Sequence, residues 1–259
     1  MANGGFSAKR LARLRGLLES HVDSGFVPGA VAVLARHGDV HVEATGTLAF
    51  EGAGSTTPMA ADTICRLGSM TKPIVSACVM TLIEDRTLRL DDPVDELLPE
   101  LTDMTVLADP DGPLDDTVPA TRPITLRDLL TFTLGTGMVP AEPGTIPIAD
   151  AMGVLGQFAP PDEWMGHLAA LPLVHQPGER WMYHTSANVT AVLIARAAGK
   201  SFGDALRERI CEPLGMKDTA FSVDGESIDR FATAYERDNA ATGEPVVEDR
   251  PDGQWSRPP

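Results

Sequence analysis

The sequence predicts an α+β fold, in which a mainly helical region accompanies an antiparallel sheet. Three observations support this prediction. Leucines at helical spacing indicate an amphipathic helix over residues 7–23, two short segments typical of strands flank a turn at residues 37–39, and segments with a helical period recur from residue 69 onward. The chain has 259 residues, of which 43% are hydrophobic, so it is long enough to bury a substantial core.

The first two strands are expected to form a hairpin. Residues 30–35 are a continuous apolar run, which is typical of a strand buried on both faces. Residues 40–44 alternate between apolar and polar side chains, as a half-buried strand does. His37 and His41 are therefore assigned to the turn and to the solvent-facing side of the hairpin.

The rest of the chain is predicted to be mainly helical. Helices are expected over residues 69–85, 126–132, 163–171, 189–198 and 202–211. Residues 125–128 have the pattern of a capping box, and Gly199 and Ser201 are candidates for a helix C-cap and the next N-cap. The Asp- and Pro-rich residues 91–123 are predicted to be loops and short turns, and residues 141–161 a surface excursion.

Composition excludes several classes of partner. The chain has 37 acidic and 21 basic residues and a formal net charge of -16, so neither nucleic acid nor an anionic membrane is an expected partner. The three cysteines are widely spaced and no acidic segment has a metal-binding spacing, so no metal and no cofactor are expected. The sequence shows neither a signal peptide nor an apolar run of membrane-spanning length, and a cytoplasmic location is expected.

The most informative segment is Ser69-Met70-Thr71-Lys72-Pro73. Ser69 and Lys72 are three residues apart, so they share one face of a helix. Because Pro73 is tolerated only near a helix start, the dipole and free N–H groups of that start lie near Ser69 and favour an oxyanion there. A desolvated amine can accept the serine proton, which makes Ser69 a candidate nucleophile. A simple helix N-cap beside a solvated lysine explains the tetrapeptide equally well, because so short a motif occurs by chance.

Three further segments make the pattern more specific. Residues 124–131 read ITLRDLLT, residues 177–183 read PGERWMY and residues 212–219 read EPLGMKDT. Together with residues 63–73, they resemble the motifs of the serine hydrolases related to class C β-lactamases, family VIII esterases and D-alanyl-D-alanine carboxypeptidases. The resemblance covers about nine-tenths of the chain and implies the β-lactamase/transpeptidase-like fold.

The resemblance also implies roles for three side chains. Ser69 would be the nucleophile, Lys72 the activating amine and Tyr183 the general base. The chemistry agrees, because a neighbouring ammonium lowers the pKa of a phenol from its usual value of about 10. The alternative interpretation of Tyr183 is a buried aromatic residue whose hydroxyl is hydrogen-bonded.

The residues after the tyrosine depart from the β-lactamases of this group, which have Tyr-x-Asn. Here the triplet is Tyr183-His184-Thr185. Thr185 replaces the amide that would hold a β-lactam side chain, so it is the candidate substrate-binding residue and an ester is the favoured substrate. His184 could either modulate the base or point outward.

The expected function is hydrolysis of a small ester through an acyl-enzyme on Ser69. One alternative is β-lactamase or D-amino-acid peptidase activity on an amide substrate. The other alternative is a non-catalytic fragment that requires a second chain.

The family has three further strands and a Lys/His-x-Gly motif beyond the region that matches. The expectation is therefore a single domain over residues 1–259 that is incomplete at its C-terminus, with an incomplete sheet. Within it, residues 1–62 form the N-terminal helix and hairpin, residues 63–222 the mainly helical region with the catalytic motifs, and residues 223–259 the start of the return to the sheet. Unpaired apolar strands predict self-association or pairing with a complementing C-terminal chain.

Overall fold

The computed structural model describes residues 5–155, 159–237 and 243–257. Parts of the predicted excursion at 141–161 and of the predicted return segment at 223–259 therefore lie outside the described residues. The chain divides into two compact units: one combines Met1–Leu67 with Ala220–Pro259, and the other is the continuous segment Gly68–Thr219. None of the helices in these described stretches has the length and apolar character that a membrane span requires.

The first unit begins with a helix and a hairpin. Helix α1 spans Ala8–Asp23, and strands β1 (Gly29–Arg36) and β2 (Asp39–Gly46) pair antiparallel. The two turn residues, His37 and Gly38, both have positive φ values, 51° and 83°. A two-residue turn with positive φ at both positions matches the right-handed twist of the flanking strands. The predicted helix and hairpin are thus confirmed.

The hairpin, however, turns its apolar side outward, so the prediction that β1 is buried on both faces is wrong. Val33 and Val42 lie opposite each other and are 63% and 37% exposed. Strand alternation and register place six small apolar residues on this outer hairpin face: Val31, Val33, Ala35, Val40, Val42 and Ala44.

Polar contacts on the opposite face explain this orientation. Glu43 is only 6% exposed, and its carboxylate accepts a 2.8 Å hydrogen bond from Nε of Arg15 on α1. Nε2 of His41 lies 2.7 Å from the other carboxylate oxygen of Glu43. His41 is therefore half-buried beside α1 rather than facing solvent as predicted, and the valines of β2 occupy the other side of the strand.

The C-terminal part of the first unit is tied to the segment that precedes residue 68. Strands β5 (Ala234–Arg237) and β6 (Pro245–Asp249) pair antiparallel. The Arg66 guanidinium donates to a carboxylate oxygen of Asp249 at 2.5 Å and to the carbonyl of Ala232 at 2.6 Å. The segment that ends at Leu67 and the segment that begins at Ala220 therefore hold each other in place within this unit.

The second unit contains the remaining helices and a small sheet. Its elements are α2 (Thr71–Glu84), β3 (Thr105–Leu107), β4 (Thr117–Pro119), α3 (Leu126–Leu130), α4 (Pro147–Gly153), α5 (Pro161–Ala169), α6 (Thr185–Ala198) and α7 (Phe202–Leu206), which continues as a π-helical turn (Arg207–Cys211). Its core is built on α2 and α6: Cys78 and Leu82 are fully buried and Leu193 is 1% exposed.

The predicted helix caps are confirmed. The Thr125 hydroxyl accepts a hydrogen bond from the backbone N–H of Asp128 at 3.3 Å, and the Asp128 carboxylate accepts one from the backbone N–H of Thr125 at 2.9 Å. Gly199 ends α6 with a φ of 63°, in the left-handed region that favours glycine. The Ser201 hydroxyl accepts from the backbone N–H of Asp204 at the start of α7.

Two regions are more ordered than predicted. Strands β3 and β4 lie inside the segment predicted to be loops, because strands of three residues are too short to show an alternating pattern. Helix α4 lies inside the predicted surface excursion, and Ile148 is fully buried there. Ile148 packs in a second small core with Leu107, Val174 and Met182, so this excursion is anchored to the unit rather than lying free on its surface.

Candidate active site

Ser69 lies immediately before α2, as its position next to Pro73 predicts. It is the middle residue of a single 3-10 turn, Gly68–Met70, which leads into the helix at Thr71. The turn presents the Ser69 side chain at the surface. A hydroxyl in this position is accessible to a substrate and close to the positive end of the helix dipole.

The structure brings Ser69, Lys72 and Tyr183 together. Nζ of Lys72 donates a 3.0 Å hydrogen bond to Oγ of Ser69, and the phenolic hydroxyl of Tyr183 donates a 2.7 Å hydrogen bond to the same atom. Lys72 Nζ also lies 4.7 Å from the centre of the Tyr183 ring, within the range of a cation–π contact. One serine hydroxyl therefore has two proton-carrying groups in direct contact.

The environment of Tyr183 favours its ionised form. Hydrogen bonds from Ser69 and then from Lys72 lower the pKa of the phenol, and the positive charge of Lys72 acts in the same direction. Partial burial opposes this shift but is outweighed. Hydrogen bonds to the phenolate oxygen stabilise the ionised form of the side chain. A general base must be in this ionised form to accept a proton, so the lowered pKa favours that role.

Backbone contacts hold the segment that carries Tyr183. The Met182 N–H donates to the Phe132 carbonyl, and the Met138 N–H donates to the Tyr183 carbonyl, both at 2.8 Å. The adjoining chain approaches so closely that a Cβ atom on Gly137 would lie 2.6 Å from the Met182 Cβ and 2.7 Å from the Tyr183 carbonyl oxygen. Glycine at position 137 is therefore required for this approach.

The residues after Tyr183 form a strained turn into α6. His184 has φ 87° and ψ -72°, a conformation that costs energy for any residue with a side chain. Its imidazole pKa is lowered, first by desolvation and then by the charge of Lys72. Thr185, the candidate substrate-binding residue, is the first residue of α6 and is only 3% exposed.

Sequence reasoning missed three residues around the tyrosine. Gly137 permits the close approach of its backbone to Tyr183. Phe132 and Trp181 place their rings 6.2 Å and 5.9 Å from the Tyr183 ring, both nearly parallel to it. The tryptophan is part of the PGERWMY segment, so an aromatic residue two positions before the tyrosine was the available signal.

Within residues 5–155, 159–237 and 243–257, no cluster of three or more His, Cys, Asp or Glu side chains has an arrangement that could hold a metal ion. The side chains that meet at Ser69 are a hydroxyl, an amine and a phenol, which are suited to proton transfer and nucleophilic attack.

Comparison with known proteins gives consistent matches. The family model described as Beta-lactamase matches residues 14–256. An uncharacterised protein from Mycobacterium tuberculosis is 38% identical over 217 residues, which is 83% of this chain and 53% of that protein. Esterase EstB from Burkholderia gladioli is 36% identical over 234 residues, covering 88% of this chain and 55% of the esterase.

A solved structure gives the same result. That structure is of EstCE1, described as a hydrolase with promiscuous acyltransferase activity. It matches with a TM-score of 0.76 and 30% sequence identity, over 91% of this chain and 58% of EstCE1. The chain thus spans about half the length of the curated relatives it matches.

Proposed function

Because the chain belongs to the Beta-lactamase family and has the β-lactamase/transpeptidase-like fold, we propose that it is a serine hydrolase. We propose that it cleaves small esters and that the acyl-enzyme forms on Ser69. The observation that carries the proposal is the convergence of the Lys72 amine and the Tyr183 phenol on Oγ of Ser69. The resemblance of the sequence to family VIII esterases supports the same roles.

Acylation begins when the Tyr183 phenolate accepts the proton of the Ser69 hydroxyl and Oγ attacks the ester carbonyl carbon. The carbonyl oxygen becomes an oxyanion near the start of α2, where the helix dipole favours negative charge. When this intermediate collapses, the bond between the carbonyl carbon and the leaving oxygen breaks. Tyr183 returns its proton to that oxygen, the alcohol departs and the acyl group remains on Ser69.

Deacylation repeats the same proton transfers with water. The Tyr183 phenolate accepts a proton from water, and the resulting hydroxide attacks the acyl carbon. Tyr183 then gives the proton to Oγ of Ser69 as the acyl–oxygen bond breaks, and a carboxylic acid is released. Lys72 contributes throughout as a positive charge that keeps the phenol ionised between these steps.

Two considerations favour an ester over a β-lactam. Esterase EstB is among the relatives, at 36% identity. In addition, Thr185 is found where the β-lactamases of the group have an asparagine amide. A threonine hydroxyl is shorter and offers fewer hydrogen bonds than an amide, so it provides less support for a β-lactam side chain.

Acyl transfer is a second candidate, favoured by the acyltransferase activity in the description of EstCE1. In that reaction an alcohol replaces water in the second half of the cycle, and the product is a new ester. Mass analysis of the products formed in water with added alcohol distinguishes the two reactions.

The proposal is tested by labelling the nucleophile and by comparing substrates. A fluorophosphonate should attach to Ser69, and Ser69→Ala should abolish labelling. Ser76→Ala is the matched control, because Ser76 lies two turns further along α2 and should leave labelling intact. The kcat/KM value for p-nitrophenyl butyrate should exceed that for nitrocefin. Labelling at another residue would refute the nucleophile, and a higher value for nitrocefin would refute the preference for esters.

A further inference from the structure

An aromatic cluster adjoins the contact between Ser69 and Tyr183. The Trp181 ring centre lies 5.9 Å from that of Tyr183, with 24° between the planes. The Phe132 ring centre lies 6.2 Å from Tyr183, at 19°, and 6.3 Å from Trp181. We call these three rings, Phe132, Trp181 and Tyr183, the aromatic platform. Because the Tyr183 hydroxyl contacts Oγ of Ser69, the platform is continuous with the proposed reacting atoms.

The Trp181 ring of the platform is largely in contact with solvent. Trp181 is 62% exposed, whereas the next residue, Met182, is 8% exposed and belongs to the small core around Ile148. The Trp181 and Tyr183 rings contact each other while the Met182 side chain packs in that core, so the two rings lie away from the core that Met182 enters. Burial of the Trp181 indole would stabilise the fold, and its exposure is instead what a binding surface requires.

The proposed chemistry indicates which part of the substrate this surface contacts. Tyr183 must lie within hydrogen-bond reach of the leaving oxygen in order to protonate it. The carbon chain of the alcohol is bonded to that same oxygen, so it starts beside the Tyr183 hydroxyl. Its further atoms are therefore the part of the substrate nearest to the rings stacked around Tyr183.

We propose, on the basis of the proposed esterase function, that Trp181 and Phe132 form a subsite for the alcohol part of the ester and favour an alcohol with a flat apolar ring. A planar ring of the ligand can stack on the exposed indole at the centroid distances of 4.5–7 Å that aromatic pairs adopt. Saturated short alcohols offer no such stacking and bury less apolar area.

The test compares benzyl acetate with ethyl acetate, because both alcohols are primary and only one carries a ring. In Trp181→Ala, the ratio of kcat/KM for benzyl acetate to that for ethyl acetate should fall about 2- to 12-fold, the range that corresponds to one aromatic contact. Trp181→Phe keeps a planar ring and should retain most of the ratio. Trp255→Ala is the control, because Trp255 is 50% exposed and lies in the other unit, and it should leave the ratio unchanged.

Two kinetic outcomes would overturn the subsite. If Trp181→Ala lowers kcat/KM equally for both esters, the indole only supports Tyr183 and does not select the alcohol. If the variant lowers instead the rate for methyl phenylacetate, which carries its ring on the acyl side, the platform binds the acyl group.

A binding measurement separates this inference from the proposed function. Benzyl alcohol, a product of the test reaction, should shift the indole N–H resonance of Trp181 in a saturable way, while ethanol should not. The resonance is identified by its loss in Trp181→Phe. A shift without hydrolysis of any ester would refute the esterase and retain the subsite. The absence of a shift, together with an unchanged kinetic ratio in Trp181→Ala, would refute the subsite.

Discussion

The phenolic oxygen of Tyr183 lies 2.7 Å from Oγ of Ser69, although 114 residues separate them in the sequence. The two residues belong to different elements, since Ser69 precedes α2 and Tyr183 precedes α6. Both helices contribute to the same hydrophobic core, so the packing of α2 against α6 sets the distance between the two hydroxyls. The site therefore depends on a core contact and on the short segments that lead into each helix.

Replacing the proposed base should remove activity without loss of the fold. Tyr183→Phe keeps the ring and its stacking on Phe132 and Trp181 but removes the hydroxyl. We expect kcat for p-nitrophenyl butyrate to fall about 10²–10⁴-fold, the usual contribution of a positioned general base, with an unchanged Tm. Tyr235→Phe, which alters the other tyrosine of the chain, is the control and should retain kcat. Full activity in Tyr183→Phe would assign the base role to another group, and His184 would be tested first.

The ionisation of Tyr183 can be observed directly. Because the chain has only two tyrosines, Tyr235→Phe leaves Tyr183 as the sole phenol. Its absorbance titration should have a midpoint below the usual pKa of 10.0, since hydrogen bonds from Ser69 and Lys72 and the Lys72 charge favour the phenolate. The kcat/KM value should rise with pH over the same range, because the ionised form is the base.

Removal of the ammonium provides the control for that titration. Lys72→Ala, made in the Tyr235→Phe background, should move the midpoint toward higher pH because a hydrogen bond and a positive charge are lost. A midpoint that is the same with and without the Lys72 amine would show that the lysine does not activate the phenol.

A methyl group at position 137 should disturb the site through the backbone. The Cβ of Gly137→Ala would overlap Met182 and the Tyr183 carbonyl, so the segment that carries Tyr183 must shift. A displacement of about 1 Å at a reacting group can cost ~10²-fold in rate, and we expect kcat to fall by about that factor. Gly166→Ala is the control, because no atom lies within 4 Å of the added Cβ in α5. Wild-type kcat in Gly137→Ala would contradict the assignment.

The capping box at α3 should contribute stability that depends on pH. Burial raises the pKa of Asp128, but hydrogen bonds from Arg122 and Thr125 outweigh it, and the net shift is downward. A carboxyl whose pKa is lowered by folding stabilises the fold fully at pH values above its unfolded-state pKa of about 3.9. This stabilisation is lost as the pH falls through the folded-state pKa. Asp128→Asn should therefore lower the free energy of unfolding by about 1–3 kcal/mol at neutral pH.

Urea unfolding at several pH values tests this prediction. The difference between the wild type and Asp128→Asn should shrink as the pH falls below about 4. Asp91→Asn is the control: its ion pair with Arg127 is exposed on both sides, so no measurable change is expected. A difference between the wild type and Asp128→Asn that does not vary with pH would mean that the carboxylate charge is not what stabilises α3.

The outer hairpin face should promote association between copies of the chain. Within the described residues, β1 pairs only with β2, and Val33, Val40 and Val42 are exposed. Val33→Thr combined with Val42→Thr keeps the β-branched shape but adds hydroxyls, so it should reduce concentration-dependent self-association in sedimentation velocity. Val246→Thr changes an exposed valine on β6 and should have no effect. Equal association in the wild type and the double variant would exclude this face as the contact.

Local signals in the sequence predicted local structure well. The capping box at Thr125 and Asp128 and the left-handed C-cap at Gly199 depend on residues a few positions apart, and both are formed as predicted. The orientation of β2 could not be predicted in this way. Glu43 is buried because Arg15 on α1 reaches its carboxylate. These residues are 28 positions apart, so the pattern of apolar and polar residues within β2 does not reveal the contact.

The same distinction applies to the candidate site. Ser69 and Lys72 are one helical turn apart, so their contact follows from spacing alone. The nearness of Phe132 to Tyr183 depends on how two distant segments run side by side, and the backbone hydrogen bond between Met182 and Phe132 that aligns them is independent of side-chain identity. Sequence motifs could therefore identify the reacting groups but not the rings that surround them.

The discontinuity of the first unit has a consequence for synthesis on the ribosome. Arg66 and Asp249 are 183 residues apart, so the Arg66 guanidinium has no carboxylate partner at Asp249 until those further residues have been made. The second unit, Gly68–Thr219, is continuous and can fold during that interval. At a synthesis rate of about 5–20 residues per second, this interval lasts roughly 10–35 s. Throughout it Arg66 lacks its later partners Ala232 and Asp249, so the first unit completes its fold only after the second unit has been made.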